Sequence, residues 1–292
     1  MTRALVLGGG GPVGIAWESG LVAGLAEGGV DVSQADFIMG TSAGSVVGAQ
    51  LSLGKTPGAL FTAITAHPPQ PASQPGAAPA APPMLTPLME LMQQAVNGSI
   101  PADELRRKIG EFALSAKTIS EEEFLVSFGR MLASSDAWPD RPYACTAVDA
   151  VDGSFVLWEK DAGAPLNRAV ASSCSVPGIY PPITINGRRY IDGGMRSATN
   201  ADCAKDYDTV LVVAVTTDVP GPMGDQSRAR LASELSSLRD AGRKVECLQP
   251  DAGSRTAFGP NLMDFSRRTP AAQAGYEQGK SAAGGLQAVW NG

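Results

Sequence analysis

The segment that most constrains the fold of this chain is the pentapeptide Gly-Thr-Ser-Ala-Gly at positions 40–44. A G-x-S-x-G sequence builds a sharp turn from a strand into a helix and holds its central serine hydroxyl outward. Residues 36–39 supply a short strand before the turn, and the small residues 43–49 permit a tightly packed helix after it. The pentapeptide therefore predicts a strand-turn-helix unit that presents Ser42 as a candidate nucleophile.

The chain lacks a well-placed histidine to activate this serine. In α/β-hydrolases the residues follow the order Ser, Asp or Glu, His, but the one histidine here, His67, stands in a proline-rich stretch with none after it. A serine nucleophile still needs a group that accepts its proton. We predict that Asp192 is this base, because a β-rich run delivers it to the two-glycine turn Gly193-Gly194.

A glycine-rich segment at positions 8–14 follows the short apolar strand predicted at 4–7. Glycines leave their backbone N–H groups unobstructed, and such donors can hold the oxyanion of a tetrahedral intermediate. Gly14 would admit close packing of the helix predicted at 15–26. The candidates for the oxyanion contacts are Gly9, Gly10 and Gly11.

Taken in chain order, four blocks resemble the patatin-like phospholipases, which are serine lipid acyl hydrolases with a Ser–Asp dyad. The blocks are the glycine loop 8–14, the elbow 40–44, the segment 171–182 and the turn 192–194. The resemblance covers residues 4–215. It implies an α/β fold: a three-layer sandwich with a mainly parallel central sheet and a helical cap insertion. One position departs from the family pattern, because Val13 stands where the family commonly carries Arg or Lys.

The resemblance also implies a function. It implies a carboxylic ester hydrolase of lipid degradation, of the phospholipase A, lysophospholipase or esterase type, that acts through an acyl-enzyme on a lipid or acyl-ester substrate. It implies no cofactor and no metal. The implied site residues are Ser42 and Asp192 as the catalytic dyad, Gly9, Gly10 and Gly11 as the oxyanion hole, and Gly14, Gly40, Gly44, Gly193 and Gly194 as motif support.

Two alternatives remain open at this point. Positions 9, 11 and 14 match the dinucleotide-binding pattern G-x-G-x-x-G after a strand, and Asp31 lies near the distance expected for a ribose-binding acid. Pro12 inside the loop, and the unexplained blocks around Ser42 and Asp192, weigh against a dinucleotide site. The second alternative is a catalytically weak lipid-binding or scaffold protein of the same fold, which the valine at position 13 brings into consideration.

We expect one domain over residues 1–292, with a proline-rich loop at 68–83, a helical insertion at 84–134 and a C-terminal α/β extension at 216–292. Apolar residues in the insertion recur at helical spacing, which is typical of an amphipathic layer on the core and also of a lid or lipid-docking surface. Further predicted elements are hairpins at 143–149 with 155–158 and 183–185 with 189–191, a buried strand at 209–216, helices at 226–242 and 269–290, and a strand at 245–248.

Charge and composition exclude several classes of function. The net charge is −6 with a pI near 4.9, and no basic run exceeds residues 106–108, so nucleic-acid binding is not expected. The apolar run before the first glycines is too short for a signal peptide, and the longest apolar strand, 210–215, is far below the ~20 residues of a membrane-spanning helix. We expect a cytoplasmic location with only peripheral membrane contact, and we leave the oligomeric state open.

Four cysteines, at positions 145, 174, 203 and 247, are widely spaced and form no C-x-x-C pair. This spacing argues against both a metal site and a disulfide framework. We expect reduced and mostly buried thiols.

Overall fold

The structure is a computed structural model that describes residues 1–66, 86–129, 132, 136–216 and 221–291. These residues form eight strands and ten α-helices. The strands are β1 (Arg3–Leu7), β2 (Phe37–Gly40), β3 (Tyr143–Asp149), β4 (Phe155–Trp158), β5 (Ile183–Ile185), β6 (Arg188–Asp192), β7 (Thr209–Val213) and β8 (Lys244–Leu248). The helices are α1 (Gly11–Glu27), α2 (Ala43–Ser52), α3 (Pro57–Thr65), α4 (Thr86–Val96), α5 (Ala102–Ser115), α6 (Glu121–Gly129), α7 (Leu166–Ser173), α8 (Pro222–Asp240), α9 (Ala252–Phe258) and α10 (Arg268–Trp290). His67 and the predicted proline-rich loop lie outside the described residues.

All eight strands belong to one mixed sheet in the order β5-β6-β3-β2-β1-β7-β8, with β4 paired to β3. The neighbouring pairs from β3 through β2, β1 and β7 to β8 are parallel, and the pairs that involve β4, β5 or β6 are antiparallel. The central strands β1, β2 and β7 are mostly apolar and buried because helices cover both of their faces. The predicted α/β class with a mainly parallel central sheet is confirmed.

Alternate side chains of the central strands enter two separate hydrophobic cores. Leu5 and Leu7 of β1 pack with side chains from α1, α2 and α10 on one face of the sheet. Ala4 and Val6 of the same strand pack with side chains from α8 on the other face. Because successive residues of a strand point to opposite faces, one five-residue strand contributes to both cores. The result is the predicted three-layer arrangement.

Helices α1 and α10 lie unusually close to each other because glycines line their contact. A Cβ atom added at Gly20 would overlap the carbonyl of Ala272, and one added at Gly279 would overlap the carbonyl of Leu21. Absence of side chains at these positions lets the two backbones approach to direct contact. This contact fixes the end of the chain against the helix that follows the glycine loop.

The helical insertion contributes to two parts of the molecule. Ile109 and Ala113 of α5 pack against β3 and β6, and Leu88 and Leu91 of α4 join the same small core. Helix α6 instead places Phe124 in the main core. The amphipathic layer predicted for this insertion is therefore present in α4 and α5. None of the described helices is both long and apolar enough to span a bilayer.

Both predicted hairpins are present. In the second hairpin, Asn186 and Gly187 have φ values of +50° and +79°. Positive φ at both central residues is typical of the type I′ turn that Asn-Gly favours between twisted strands. This hairpin delivers Asp192 to its position at the end of β6.

Several predicted boundaries were wrong. Helix α1 begins at Gly11 rather than residue 15, because Pro12 suits the first turn of a helix and does not need an N–H partner there. Strand β7 ends at Val213, since the chain leaves the sheet there and Val215 packs against Gly10 of the glycine loop. Helices α3, α7 and α9 were not predicted, because each has ten residues or fewer and little hydrophobic periodicity.

All four cysteines are free, and two of them, Cys145 and Cys174, are buried.

The close contact between α1 and α10 predicts that alanine has opposite effects on stability at two glycines of α10. Gly279→Ala should lower the free energy of unfolding by about 2 kcal/mol, since its Cβ would push the two backbones apart. Gly284→Ala should raise it by about 0.5–1 kcal/mol, because nothing lies within 4 Å of the added atom and alanine favours the helix. Urea unfolding of both variants measures the difference, and equal effects would contradict the close contact.

Candidate active site

Ser42 lies in the turn between β2 and α2 with φ +52° and ψ −115°. A non-glycine residue in this region is strained by roughly 1–3 kcal/mol and persists only where its surroundings hold it. The residue is 8% exposed. This backbone conformation is the sharp elbow that the pentapeptide predicts.

The glycines on either side of Ser42 allow the elbow to pack closely. A Cβ at Gly40 would overlap the backbone of Gly44, and one at Gly44 would overlap the carbonyl of Leu7. The Gly44 N–H donates to the Gly8 carbonyl at 3.0 Å. The elbow is therefore docked directly on the start of the glycine loop.

The end of α7 holds the elbow from the other side. The Ser42 N–H donates to the Ser173 hydroxyl at 2.9 Å, and the Ser42 carbonyl accepts from the Cys174 thiol at 3.1 Å. The Ser45 hydroxyl donates to the same carbonyl at 2.6 Å. These bonds satisfy the backbone N–H and carbonyl of the strained Ser42. Holding the elbow in place is therefore one role of the segment 171–182 in the fold.

Asp192 reaches the elbow from the end of β6. Its carboxyl lies close enough to the Ser42 side chain for that side chain to lower its pKa, and it accepts the Gly194 N–H at 2.7 Å. Its own N–H donates to the Ser175 carbonyl at 3.0 Å, which ties it to the segment after α7. The structure thus brings together the two side chains that the sequence places 150 positions apart.

Burial changes the acidity of Asp192. The residue is 2% exposed, and loss of solvent raises the pKa of its carboxyl from 3.8 to about 7, although the bonds from Ser42 and Gly194 oppose this rise. A carboxylate with this pKa is a much stronger base than an ordinary aspartate. At neutral pH it can both accept and return a proton.

Asn200 joins the elbow to the turn after Asp192 and was not predicted. Its amide nitrogen lies 2.7 Å from the Ser197 carbonyl, 3.1 Å from the Thr41 hydroxyl and 3.3 Å from the Gly193 carbonyl. The residue is fully buried and adopts the left-handed conformation, which asparagine tolerates better than most side chains. No local pattern marks it, because its role depends on three segments that meet only in the fold.

The glycine loop differs from the prediction at one residue. The Gly9 N–H donates to the Ala198 carbonyl at 2.8 Å, so this amide is already occupied. No acceptor for the N–H groups of Gly10 or Gly11 lies among the described residues, and Gly11 borders the cavity beside Ser42. Gly10 and Gly11 are therefore the available donors, and Gly9 supports the loop.

The next two loop positions anchor the start of α1. Val13 is fully buried, and its N–H donates to the Leu262 carbonyl at 3.2 Å, so this position belongs to the core rather than to the surface of the loop. A Cβ at Gly14 would stand 3.4 Å from that of Ala43. This spacing fits the close packing of α1 against α2 that the sequence predicts.

A cavity of about 310 Å³ opens beside Ser42. Its walls come from α1, α6, the segment after α7 and the segment before α10. Val176 and Tyr180 line it, whereas Phe61 stacks on Tyr276 at a centroid distance of 4.7 Å. Ile64 and Leu88 belong to the packed cores, and Met84 lies outside the described residues. The further side chains that line the cavity are Pro12, Ile15, Ala43, Phe124, Phe128, Cys174, Met263, Phe265 and Arg268.

Other chemistry at this site has little support. Burial raises the pKa of the Cys174 thiol, and the nearby Asp192 raises it further, so this cysteine is not a thiolate nucleophile. Asp31 caps a short turn and accepts from both the N–H and the hydroxyl of Ser33, so its carboxylate is already engaged within that turn. Within the described ranges, no group of three or more His, Cys, Asp or Glu side chains could hold a metal ion.

Comparison with protein-family profiles identifies the family of this chain. The family profile described as Patatin-like phospholipase matches residues 5–205, which is more than half of the chain. The chain belongs to the patatin-like phospholipase family. This patatin-like chain has no match among curated protein sequences.

The solved structures with some likeness to this patatin-like chain include VipD and ExoU. VipD from Legionella pneumophila has 13% identity and a TM-score of 0.45, and the match covers 97% of this chain and 67% of VipD. The ExoU–SpcU complex of Pseudomonas aeruginosa has 15% identity and a TM-score of 0.41, over 100% of this chain and 52% of the other. A structure of the type III effector ExoU has 16% identity and a TM-score of 0.34, over 96% and 53%. The chain thus spans about two thirds of VipD and about half of ExoU, and likenesses this weak carry no argument about activity.

The raised pKa of Asp192 predicts a pH-dependent effect of Asp192→Asn on stability. Between the unfolded pKa of 3.8 and the folded pKa of about 7, the native state binds the proton more tightly, so the wild type loses stability as the pH rises through this window. Relative to the wild type, the free energy of unfolding of the variant should increase by up to about 4 kcal/mol between pH 4 and pH 8, since one unit of pKa difference corresponds to about 1.4 kcal/mol. Urea unfolding of both proteins at both pH values tests this. If the difference in the free energy of unfolding does not change with pH, the raised pKa of the buried Asp192 is contradicted.

Proposed function

We propose that this patatin-like protein is a lipid acyl-ester hydrolase that uses Ser42 as the nucleophile and Asp192 as the base. The observation that carries the proposal is the proximity of these two side chains beside an apolar cavity. A nucleophile within hydrogen-bonding reach of a base is the arrangement that covalent catalysis requires. Family membership supports lipid esters as the class of substrate.

In the first step, the Ser42 oxygen attacks the ester carbonyl carbon while Asp192 takes the hydroxyl proton. The carbonyl oxygen becomes an oxyanion, and the tetrahedral intermediate collapses as the alcohol leaves with the proton from Asp192. An acyl-enzyme remains. Water then attacks the acyl group with Asp192 as base again, and the fatty acid departs as the Ser42 hydroxyl is restored.

Asp192 can serve as a base because its environment differs from water. An aspartate of ordinary pKa would be too weak to accept a proton from an alcohol efficiently. Burial raises the pKa of this carboxyl to about 7, which brings it near the pH at which a general base works best. The Gly194 N–H and the Asn200 network hold the carboxyl and its turn in place.

The oxyanion would be held by the N–H groups of Gly10 and Gly11. Both groups lack an acceptor among the described residues, and preorganised donors of this kind stabilise developing charge without having to reorient. Helix α1 begins at Gly11 and helix α2 begins next to Ser42, so the positive ends of two helices face the same place. The acyl chain would occupy the apolar part of the cavity.

A second candidate function is binding of an acyl lipid without turnover. Ser42 is only 8% exposed, and the Gly9 amide is occupied by Ala198, so one expected donor is missing from the oxyanion site. The same cavity would then retain lipid that the protein does not cleave. A covalent probe of the nucleophile separates the two functions.

We expect a fluorophosphonate probe to label the wild type, and Ser42→Ala to abolish labelling and hydrolysis of p-nitrophenyl acyl esters. Asp192→Asn should lower kcat/KM by about 10³-fold or more, because residues that act as a unit show large and similar losses. Ser233→Ala is the matched control: its hydroxyl is exposed on α8 and does not line the cavity beside Ser42, so labelling should persist. A folded wild type that no probe labels would favour the lipid-binding alternative.

The pH profile of the reaction provides a further test. Asp192 must be deprotonated to act as base, so kcat/KM should rise with pH and level off above an apparent pKa near 7. Steady-state rates with a neutral ester between pH 5 and pH 9 measure this. A flat profile across that range would show that this carboxyl does not accept the proton.

A further inference from the structure

One charged side chain lines the cavity beside Ser42. Among the described lining residues, Arg268 is the only ionisable group apart from Cys174 and Tyr180, and the rest are apolar side chains, the Ser42 hydroxyl and the backbone of the glycine loop. Arg268 is half-buried and stands at the start of α10. A guanidinium in an otherwise apolar pocket needs an explanation, because charges removed from water are normally paired.

No partner for this guanidinium lies among the described residues. Arg268 has no carboxylate within salt-bridge distance there and no side-chain hydrogen bond. The nearest acid along the chain, Asp264, accepts from the N–H of Ser266 at 2.9 Å and from its hydroxyl at 2.6 Å, so it serves its own turn. The only influence on the acidity of Arg268 is desolvation, which lowers its pKa.

The surroundings of Arg268 are electrostatically unfavourable for a cation. The N-terminus of a helix carries a partial positive charge, and Arg268 is the first residue of α10. Gly11, which begins α1, borders the same cavity. An anion placed in this cavity would relieve these unfavourable contacts, whereas an uncharged occupant would leave them in place.

We propose that Arg268 binds the phosphate of a glycerophospholipid whose ester Ser42 attacks, and that it selects phosphate-bearing lipids over neutral esters. The inference rests on the proposed function. A guanidinium donates two parallel hydrogen bonds to a phosphate, which a lysine cannot match in geometry. In a glycerophospholipid the phosphate and the ester stand only a few bonds apart, so one cavity can hold both.

The carboxylate of the fatty acid product is a less suitable anion for Arg268. That carboxylate forms at the carbon that Ser42 attacked, where the N–H groups of Gly10 and Gly11 already face it. Arg268 enters the cavity from the segment that precedes and begins α10, not from the glycine loop. This leaves the guanidinium for a second anionic group of the same lipid.

The test compares two lipids that share one acyl chain: 1-acyl lysophosphatidylglycerol and the matching 1-monoacylglycerol, in mixed micelles of a neutral detergent. In Arg268→Gln, the ratio of kcat/KM for the phospholipid to that for the glyceride should fall at least about tenfold, because hydrogen bonds to charged groups are strong. Arg268→Lys should retain an intermediate ratio. Arg267→Gln is the matched control, since it removes the same charge from an exposed neighbour that does not line the cavity.

Three outcomes would overturn the inference. Arg268→Gln could leave the ratio unchanged, and an equal loss of both activities would then show a structural role. Arg267→Gln could lower the ratio as much, which would show general attraction of anionic lipid to the surface. Decanoate can serve as a stand-in for the fatty acid product. If Arg268→Gln relieved inhibition by decanoate and left the ratio of the two kcat/KM values unchanged, the guanidinium would bind the product carboxylate instead.

A binding experiment separates failure of this inference from failure of the proposed function. In a Ser42→Ala background, titration calorimetry with the lysophosphatidylglycerol below its micelle concentration should give a Kd that rises about tenfold on adding Arg268→Gln. If the wild type hydrolysed neither lipid while this difference persisted, the catalytic proposal would fail and phosphate recognition would stand. An unchanged Kd would overturn phosphate recognition whatever the activity.

Discussion

Burial of the Asp192 carboxyl against the Ser42 hydroxyl is the interaction on which the rest of this site depends. It requires a carboxylate that has lost its water and a serine held in a strained backbone conformation, and both cost stability. The surrounding fold offsets these costs. The elbow is hydrogen-bonded to α7 on one side and to the glycine loop on the other, while Asn200 fixes the turn after the carboxylate.

The mixed sheet explains how the two side chains meet. Ser42 follows a central parallel strand, and parallel strands deliver their carboxyl ends to one edge of a sheet. Asp192 ends β6, whose neighbour β3 runs antiparallel to it and parallel to β2. The antiparallel hairpin thus brings an aspartate from a distant part of the chain toward the elbow, which a purely parallel sheet with helical crossovers would do less directly.

The cavity is lined by segments inside and outside the span that the family profile matches. The proposed nucleophile, the proposed base and the glycine loop lie within the span that the family profile matches, whereas Met263, Phe265 and Arg268 lie beyond it. Close packing of α1 against α10 through glycines holds this later segment against the glycine loop. The proposed chemistry and the proposed selection of substrate therefore reside in separate segments, so the selectivity could change without disturbing Ser42 and Asp192.

The sequence by itself determined the features that depend on neighbouring residues. The elbow at Ser42 and the Asn186-Gly187 hairpin follow from local backbone preferences, and the long helices follow from their apolar spacing. Only the tertiary structure decided that the Gly9 amide is occupied, that Asn200 connects three segments and that Arg268 enters the cavity. Each of these depends on a contact between residues far apart in the chain, and no local spacing encodes which distant carbonyl or side chain will occupy the space beside a given group.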